Sequence, residues 1–314
     1  MDSSRELHSR SIDQLEAELQ AARCALERRE QMWQSQLNIA ARVHRSLLPK
    51  SVSHPRIKVE VRYVPMEAVG GDYCQVLFPV DSQCYITLCD VTGHGIGPAM
   101  LATRVSSYVR QLVMQQLRPM QIVENLNSFV VDHFSDTGLQ FLSFFVAQID
   151  LENGMVTYSG AGHPGPLLIR RNDAHIEVLA SQNMLIGVQD RCLREHPEDV
   201  RSIAPGDRLF FFTDGLTESK DANGVMLGSD GLQRILDETT AATVSELADC
   251  ILQQVTKFRH GPPHDDMTLI VAELVDLGDS VPPSVSQMDL LRPSEWHFGR
   301  HQQESIRYVS PKRK

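Results

Sequence analysis

The sequence predicts an α+β fold: antiparallel β-sheet covered by pairs of helices, with one long helix ahead of it. Three observations carry that prediction. Residues 3–47 contain neither Gly nor Pro and repeat apolar side chains every seven positions. The strand-like segments that follow are mostly joined by short turns, which antiparallel neighbours allow and parallel ones do not. Helical patterns come in two pairs, at 97–134 and 229–258, each set between groups of strands.

In the leading helix Ile12, Leu19, Leu26, Trp33, Ala40 and Leu47 fall seven residues apart, and Leu15, Ala22 and Val43 follow three positions later in the same register. Such a row over five heptads predicts a two-stranded coiled coil, with Arg29 and Gln36 interrupting its second row. The alternative is an amphipathic helix folded onto its own domain. Pro49 and the segment SVSHP stop the helix. Ile57, Val59, Val61 and Tyr63 then alternate with Lys58, Glu60 and Arg62, the pattern of a half-buried strand. YCQVLFPV (73–80) and CYITLC (84–89) flank Asp81 and Ser82 and predict a hairpin. Helices are expected at 97–116 and 119–134. FLSFFVAQID, MVTYSG and PLLIRR read as three strands, DRLFFFTDG as another, 229–237 and 243–258 as helices, and MTLIVAEL as the closing strand.

The chain of 314 residues is 42% apolar, an ordinary globular composition. It has no run of 18 apolar residues, so no membrane-spanning helix is expected, and MDSSRELHSR lacks the apolar core of a secretory signal. The expectation is a cytoplasmic protein whose six cysteines, none in a Cys-x-x-Cys pair, stay reduced. The net charge of −10 is concentrated in residues 46–275, which hold 28 acids and 17 bases. That balance argues against a nucleic-acid partner and favours cations. Three segments are expected: a helix over 1–48 for dimerisation and regulation, a catalytic domain over 49–275, and a flexible Pro-containing tail over 276–314.

The chemistry lies in four carboxylate sites at strand ends or turns: Asp72 in GGDY, Asp90 in DVTGHG, Asp214 in TDG, and Asp265 with Asp266 in HDDMT. Aspartates gathered from different strands at one sheet edge repel unless a cation lies among them. Hard oxygen donors suit Mg²⁺ or Mn²⁺, and a pair of such ions activates water and stabilises in-line displacement at phosphorus.

The motifs VGGDY (69–73), CDVTGHGIGPAM (89–100), AGHPGPLL (161–168), PGDRLFFFTDGLTE (205–218) and DDMTLIV (265–271) together resemble, in order and spacing, the series of the SpoIIE-type phosphatases within the type 2C (PPM) protein phosphatases. ARVHRSLLP (41–49) is similar to that family's lead-in helix. The resemblance covers roughly 38–273 and implies an αββα sandwich of two antiparallel sheets flanked by helix pairs. It implies two Mn²⁺ or Mg²⁺ ions per domain, held by Asp72, Asp90, the backbone carbonyl of Val91, Asp214 and Asp265, with Gly71, Gly93 and Asp266 behind these ligands. By the same resemblance His94 is a candidate proton donor to the leaving oxygen, and His163 is expected as a turn residue. Two departures stand out. Gln75 takes a position where the family often carries Asp, which removes a charge expected near the site, and Pro98 takes the place of an alanine at a helix start.

The expected function is hydrolysis of phosphoserine or phosphothreonine on a protein, and the resemblance implies a STAS-domain anti-sigma-factor antagonist as substrate. The first 45 residues leave no room for a sensor domain, so the expected signal comes from a separate activator protein, and the chain is expected to be a homodimer. The alternatives are a weakly active scaffold that binds such a phosphoprotein and a coiled-coil adaptor.

Overall fold

The computed structural model of the protein describes residues 2–134, 141–172, 175–239 and 243–276. The expected tail over 276–314 lies, apart from Asp276, outside the described residues. Helix α1 runs from Asp2 to Arg45. Strands β1 (Val52–His54), β2 (Ile57–Val64), β3 (Tyr73–Val80) and β4 (Gln83–Val91) follow, then helices α2 (Ile96–Met114) and α3 (Pro119–Phe134). Next come β5 (Leu142–Asp150), β6 (Met155–Ala161), β7 (Leu167–Ile169), β8 (Ile176–Val178), β9 (Asp199–Ser202) and β10 (Arg208–Phe212). The single turn α4 (Asp214–Thr217), helices α5 (Gly228–Glu238) and α6 (Val244–Phe258), and strand β11 (Met267–Leu274) complete the chain.

The strands form two sheets, ordered β1-β2-β11-β10-β7-β8 and β3-β4-β5-β6-β9, and every neighbouring pair is antiparallel. The period of two along each strand explains the layers. On β4, Cys84, Ile86 and Leu88 face the second sheet and, with Phe145 of their own sheet, pack on Leu209, Phe211 and Ile270. Tyr85, Cys89 and Val91 face the other way, onto Leu101, Val105, Ile122 and Leu126 of α2 and α3. Phe210, Phe212, Leu269 and Val271 pack outward on Leu232, Leu236, Leu247 and Ile251 of α5 and α6. The result is the αββα sandwich, with one apolar core between the sheets and one under each helix pair. Helix α6 begins with a capping box: Thr243 Oγ1 accepts from the Glu246 amide at 3.1 Å, and Glu246 Oε2 accepts from the Thr243 amide at 3.0 Å.

Helix α1 leaves this body after its last turns. Ala41 is buried against Val69 and Ala99, and His44 is buried beside Gly70 and Asp266. Leu15, Leu19, Leu26 and Trp33 are exposed, at 61%, 54%, 67% and 48%. The helix is therefore not folded back along its own domain. No helix among the described residues is long and apolar enough to cross a membrane. All six cysteines are free thiols, and Cys74, Cys84, Cys89 and Cys192 are buried.

Candidate metal centre

The inter-sheet face is apolar along most of its length and turns polar at one end. The same side-chain parity that places Cys74, Leu88, Phe145, Phe211 and Ile270 between the sheets places Asp72, Asp90, Ser143, Thr213 and Thr268 there, each two residues from its apolar neighbour. The site is built at this end.

Asp72 is buried, and both sheets hold it. Its Oδ2 accepts from Thr213 Oγ1 at 2.8 Å and from Thr268 Oγ1 at 2.7 Å, while the Thr268 amide donates to Thr213 Oγ1 at 3.0 Å. Burial raises the Asp72 carboxyl well above the usual carboxylate range; Asp90 and Asp266 push the same way, and the two hydroxyls oppose them. Asp90 is pushed up to about 7, first by burial and then by the charges of Asp214, Asp265, Asp266 and Glu218. Asp214 opens α4 and is pushed up to about 6 by burial, Glu218 and Asp265. Asp72 just ahead of β3, Asp90 on β4, Asp214 at the start of α4 and Asp265 just ahead of β11 are thus linked electrostatically through Asp90.

Asp266 has a different neighbourhood. Its Oδ1 accepts from the Met66 amide at 2.8 Å. A Cβ on Gly70 would fall on its Oδ2, and a Cβ on Gly215 would fall on its backbone carbonyl. His44 and Tyr63 face it from α1 and β2. Asp265 turns back to accept from the Asp266 amide at 2.8 Å. Asp266 therefore secures the 65–71 loop that leads into Asp72.

Gly71 allows the chain to pass close to β4: the Val91 amide donates to the Gly71 carbonyl, and a Cβ at Gly71 would stand 2.5 Å from the Val91 carbonyl oxygen. Gly93 has φ +95°, a conformation side chains disfavour. His94 is 66% exposed, with Nδ1 at 3.0 Å from Glu67 Oε1. Among the described residues no three carboxylate, imidazole or thiol groups close around a single point. The acids line the edge as a set of like charges. An oxygen-rich, anionic edge whose carboxyls are driven toward protonation fits a hard divalent cation, which would relieve the repulsion that raises them.

Two side chains are not where the sequence suggested. Gln75 lies on the opposite face of β3 from Asp72, buried under α2, where its Nε2 donates to the Ser106 carbonyl at 3.0 Å. It therefore takes no charge away from the carboxylate edge. His163 follows β6 in a bend, as expected of a turn residue, but its ring is buried between the sheets. Pro98 sits in the first turn of α2, as anticipated. Sequence reasoning gave no role to Thr213, Thr268, His44, Tyr63, Glu67 or Ser143. For the two threonines the signal was present as parity, a polar residue interrupting an apolar inward row.

The sequence profile of the family described as Stage II sporulation protein E (SpoIIE) matches residues 81–275. The phosphoserine phosphatase RsbU of Bacillus subtilis (strain 168) is 28% identical over 244 residues, 77% of this chain and 71% of RsbU. Three further curated relatives are spanned over less than half their length. Among solved structures, the SiaA-PP2C domain of Pseudomonas aeruginosa shares the fold with TM-score 0.67 at 17% identity, over 79% of this chain and 98% of that one. The catalytic domain of the serine/threonine phosphatase PstP, solved with two manganese ions, matches with TM-score 0.50 at 17% identity, over 70% and 99%.

Proposed function

The chain belongs to the SpoIIE family, and from that premise we propose that it is a divalent-cation-dependent phosphatase acting on phosphoserine or phosphothreonine in a protein. The observation that carries this reading is the buried Asp72 carboxylate, tied to both sheets by Thr213 and Thr268, with Asp90 and Asp214 raised beside it. Asp72, Asp90, the Val91 carbonyl, Asp214 and Asp265 would hold two Mn²⁺ or Mg²⁺ ions. When bound, such ions lower the pKa of water and neutralise the phosphoryl oxygens during displacement at phosphorus. The two threonine hydroxyls fix the Asp72 carboxylate so that its other oxygen keeps one direction. Asp266 holds the 65–71 loop through the Met66 amide. His94, with Nδ1 against Glu67, keeps Nε2 for a proton on the way to the serine oxygen that leaves.

Residues 49–275 would be the phosphatase domain and 276–314 an extension. The exposed apolar row of α1 supports pairing of two chains through 1–48. The substrate that fits the resemblance is a STAS-domain anti-sigma-factor antagonist, with a separate activator acting through α1, in the cytoplasm. Release of inorganic phosphate from a phosphoserine-bearing STAS-domain protein, with and without Mn²⁺, tests the reading. Turnover that needs the cation supports it; equal turnover in excess EDTA overturns it.

A further inference from the structure

A buried histidine stands under the acidic edge with no part in the reaction as described. His163 is 4% exposed, and its Nδ1 lies 2.7 Å from Ser143 Oγ. Ser143 is the register partner of Asp90 in the β4–β5 ladder. Residues directly opposite in an antiparallel pair project to the same face with Cβ atoms about 5 Å apart, so the serine hydroxyl stands beside Asp90. The imidazole also faces the backbone carbonyl of Phe212, the last residue of β10 and two residues ahead of Asp214. Its Nε2 has no hydrogen-bond partner of normal geometry.

The backbone that presents this ring is itself fixed. The His163 carbonyl accepts from Ser181 Oγ at 2.5 Å. The Gly162 amide donates to the Asn183 carbonyl at 3.2 Å, and Gly162 has φ +64°. The ring thus comes from sheet β3–β9 on a rigid turn and reaches toward sheet β1–β8 below the carboxylates. Burial depresses its pKa to about 3, so it is a neutral ring at physiological pH and adds no charge to the cluster.

We propose that His163 is a positioning residue that sets the spacing of Asp90 and Asp214 across the two sheets, through Ser143 on one side and the β10 terminus on the other. It complements the tie at Asp72, which joins β3 to β10 and β11. The inference rests on the reading of this edge as a cation site. Partners standing behind metal ligands typically change affinity 10–100-fold when removed, and the same size of effect is expected here.

The test is calorimetric titration of the full chain with Mn²⁺, alongside the thermal midpoint and the phosphate-release KM. Ser143→Ala and His163→Leu should each weaken Mn²⁺ binding about tenfold or more with the substrate KM unchanged. His163→Asn, whose amide can occupy the Nδ1 position, should recover most of the loss. Should His163→Leu fail to fold, Ser143→Ala decides, because it removes one hydroxyl only. Mn²⁺ binding within twofold of wild type in a folded Ser143→Ala protein overturns the inference, as does equal weakening by His163→Asn and His163→Leu. Wild-type protein that takes up no Mn²⁺ would overturn the functional reading and this inference with it.

Discussion

The acidic edge and the leading helix invert the usual distribution of side chains in opposite ways. At the edge, Asp72 is 2% exposed and Asp266 5%, in a region where carboxylates are seldom buried without a counter-charge. Along α1, Leu15, Leu19 and Leu26 are more than half exposed, although leucine is among the residues most often hidden. The first region carries excess charge in a poorly solvated place, and the second carries excess apolar surface in water. Each calls for a partner of complementary chemistry, a small cation in one case and a second apolar helix face in the other. The difference also predicts how they fail: the edge should respond to charge and pH, the helix to protein concentration.

The largest effect should come from Asp90→Asn. With Asp90 in its proposed place as a ligand, its loss should reduce activity well beyond the 10–100-fold typical of groups behind a ligand. The same change removes a repelled, mostly buried charge, so the cation-free protein should gain on the order of 1–3 kcal/mol, discounted for partial exposure, or several degrees in Tm. Phosphate release and a thermal melt in EDTA check both halves; an inactive variant with a lowered Tm would contradict the repulsion argument.

Thr268→Val tests the tie at Asp72 with little change in volume. It should weaken Mn²⁺ binding about 10–100-fold and cost about 1.5–3 kcal/mol for the hydrogen bond lost to a carboxylate. Calorimetry and chemical denaturation would read the two quantities separately, and a silent substitution would show the hydroxyl to be dispensable.

A smaller effect concerns pH. Asp90 and Asp214 are raised from 3.8 to about 7 and about 6. A carboxyl raised on folding adds stability below its unfolded pKa and loses it as pH climbs through the folded value. Without divalent cation, Tm should therefore fall between pH of about 4 and about 7, and Mn²⁺ should flatten that slope because bound carboxylates are ionised. A melt series at matched ionic strength, with EDTA or Mn²⁺, decides; a flat cation-free profile would mean the charges are better solvated than their burial indicates.

The smallest effect on the domain itself is expected from Leu19→Asp with Leu26→Asp. These side chains touch nothing buried, so the domain's stability should stay within about 0.5 kcal/mol. Sedimentation should nevertheless shift from dimer to monomer at micromolar concentration. A wild-type chain that sediments as a monomer at tens of micromolar would remove the pairing.

Long periodic elements were readable from sequence because local patterning determines them. Helix α3 begins at Pro119 and ends at Phe134, and β11 spans Met267–Leu274, where the residue pattern put them. Strands β1, β8 and β9 escaped because three or four residues carry no alternation to detect. The aspartates were visible since each ends or begins an apolar run, and Asp72, Asp90 and Asp214 lie in glycine-containing turns. The hydroxyls that hold Asp72 were not, because Thr213 and Thr268 lie 141 and 196 residues away and only sheet packing joins them. Gln75 takes a position where the family that the chain resembles often carries Asp, but the odd step from Asp72 turns it to the far side of the sheet. His163 looked like a turn residue because its backbone is one; the side chain's burial comes from the opposing sheet.

Gly70, Gly71 and Gly215 impose a constraint that reaches beyond this one molecule. At each of them a single methyl group would meet a fixed oxygen: the Asp266 carboxylate, the Val91 carbonyl and the Asp266 carbonyl. Every replacement for glycine brings at least that methyl group. These three positions consequently have no neutral neighbours in sequence space, while the flanking threonines and aspartates could in principle be tested one functional group at a time. A random-mutagenesis library selected for activity should therefore return the glycines unchanged more often than several residues whose side chains do the chemistry.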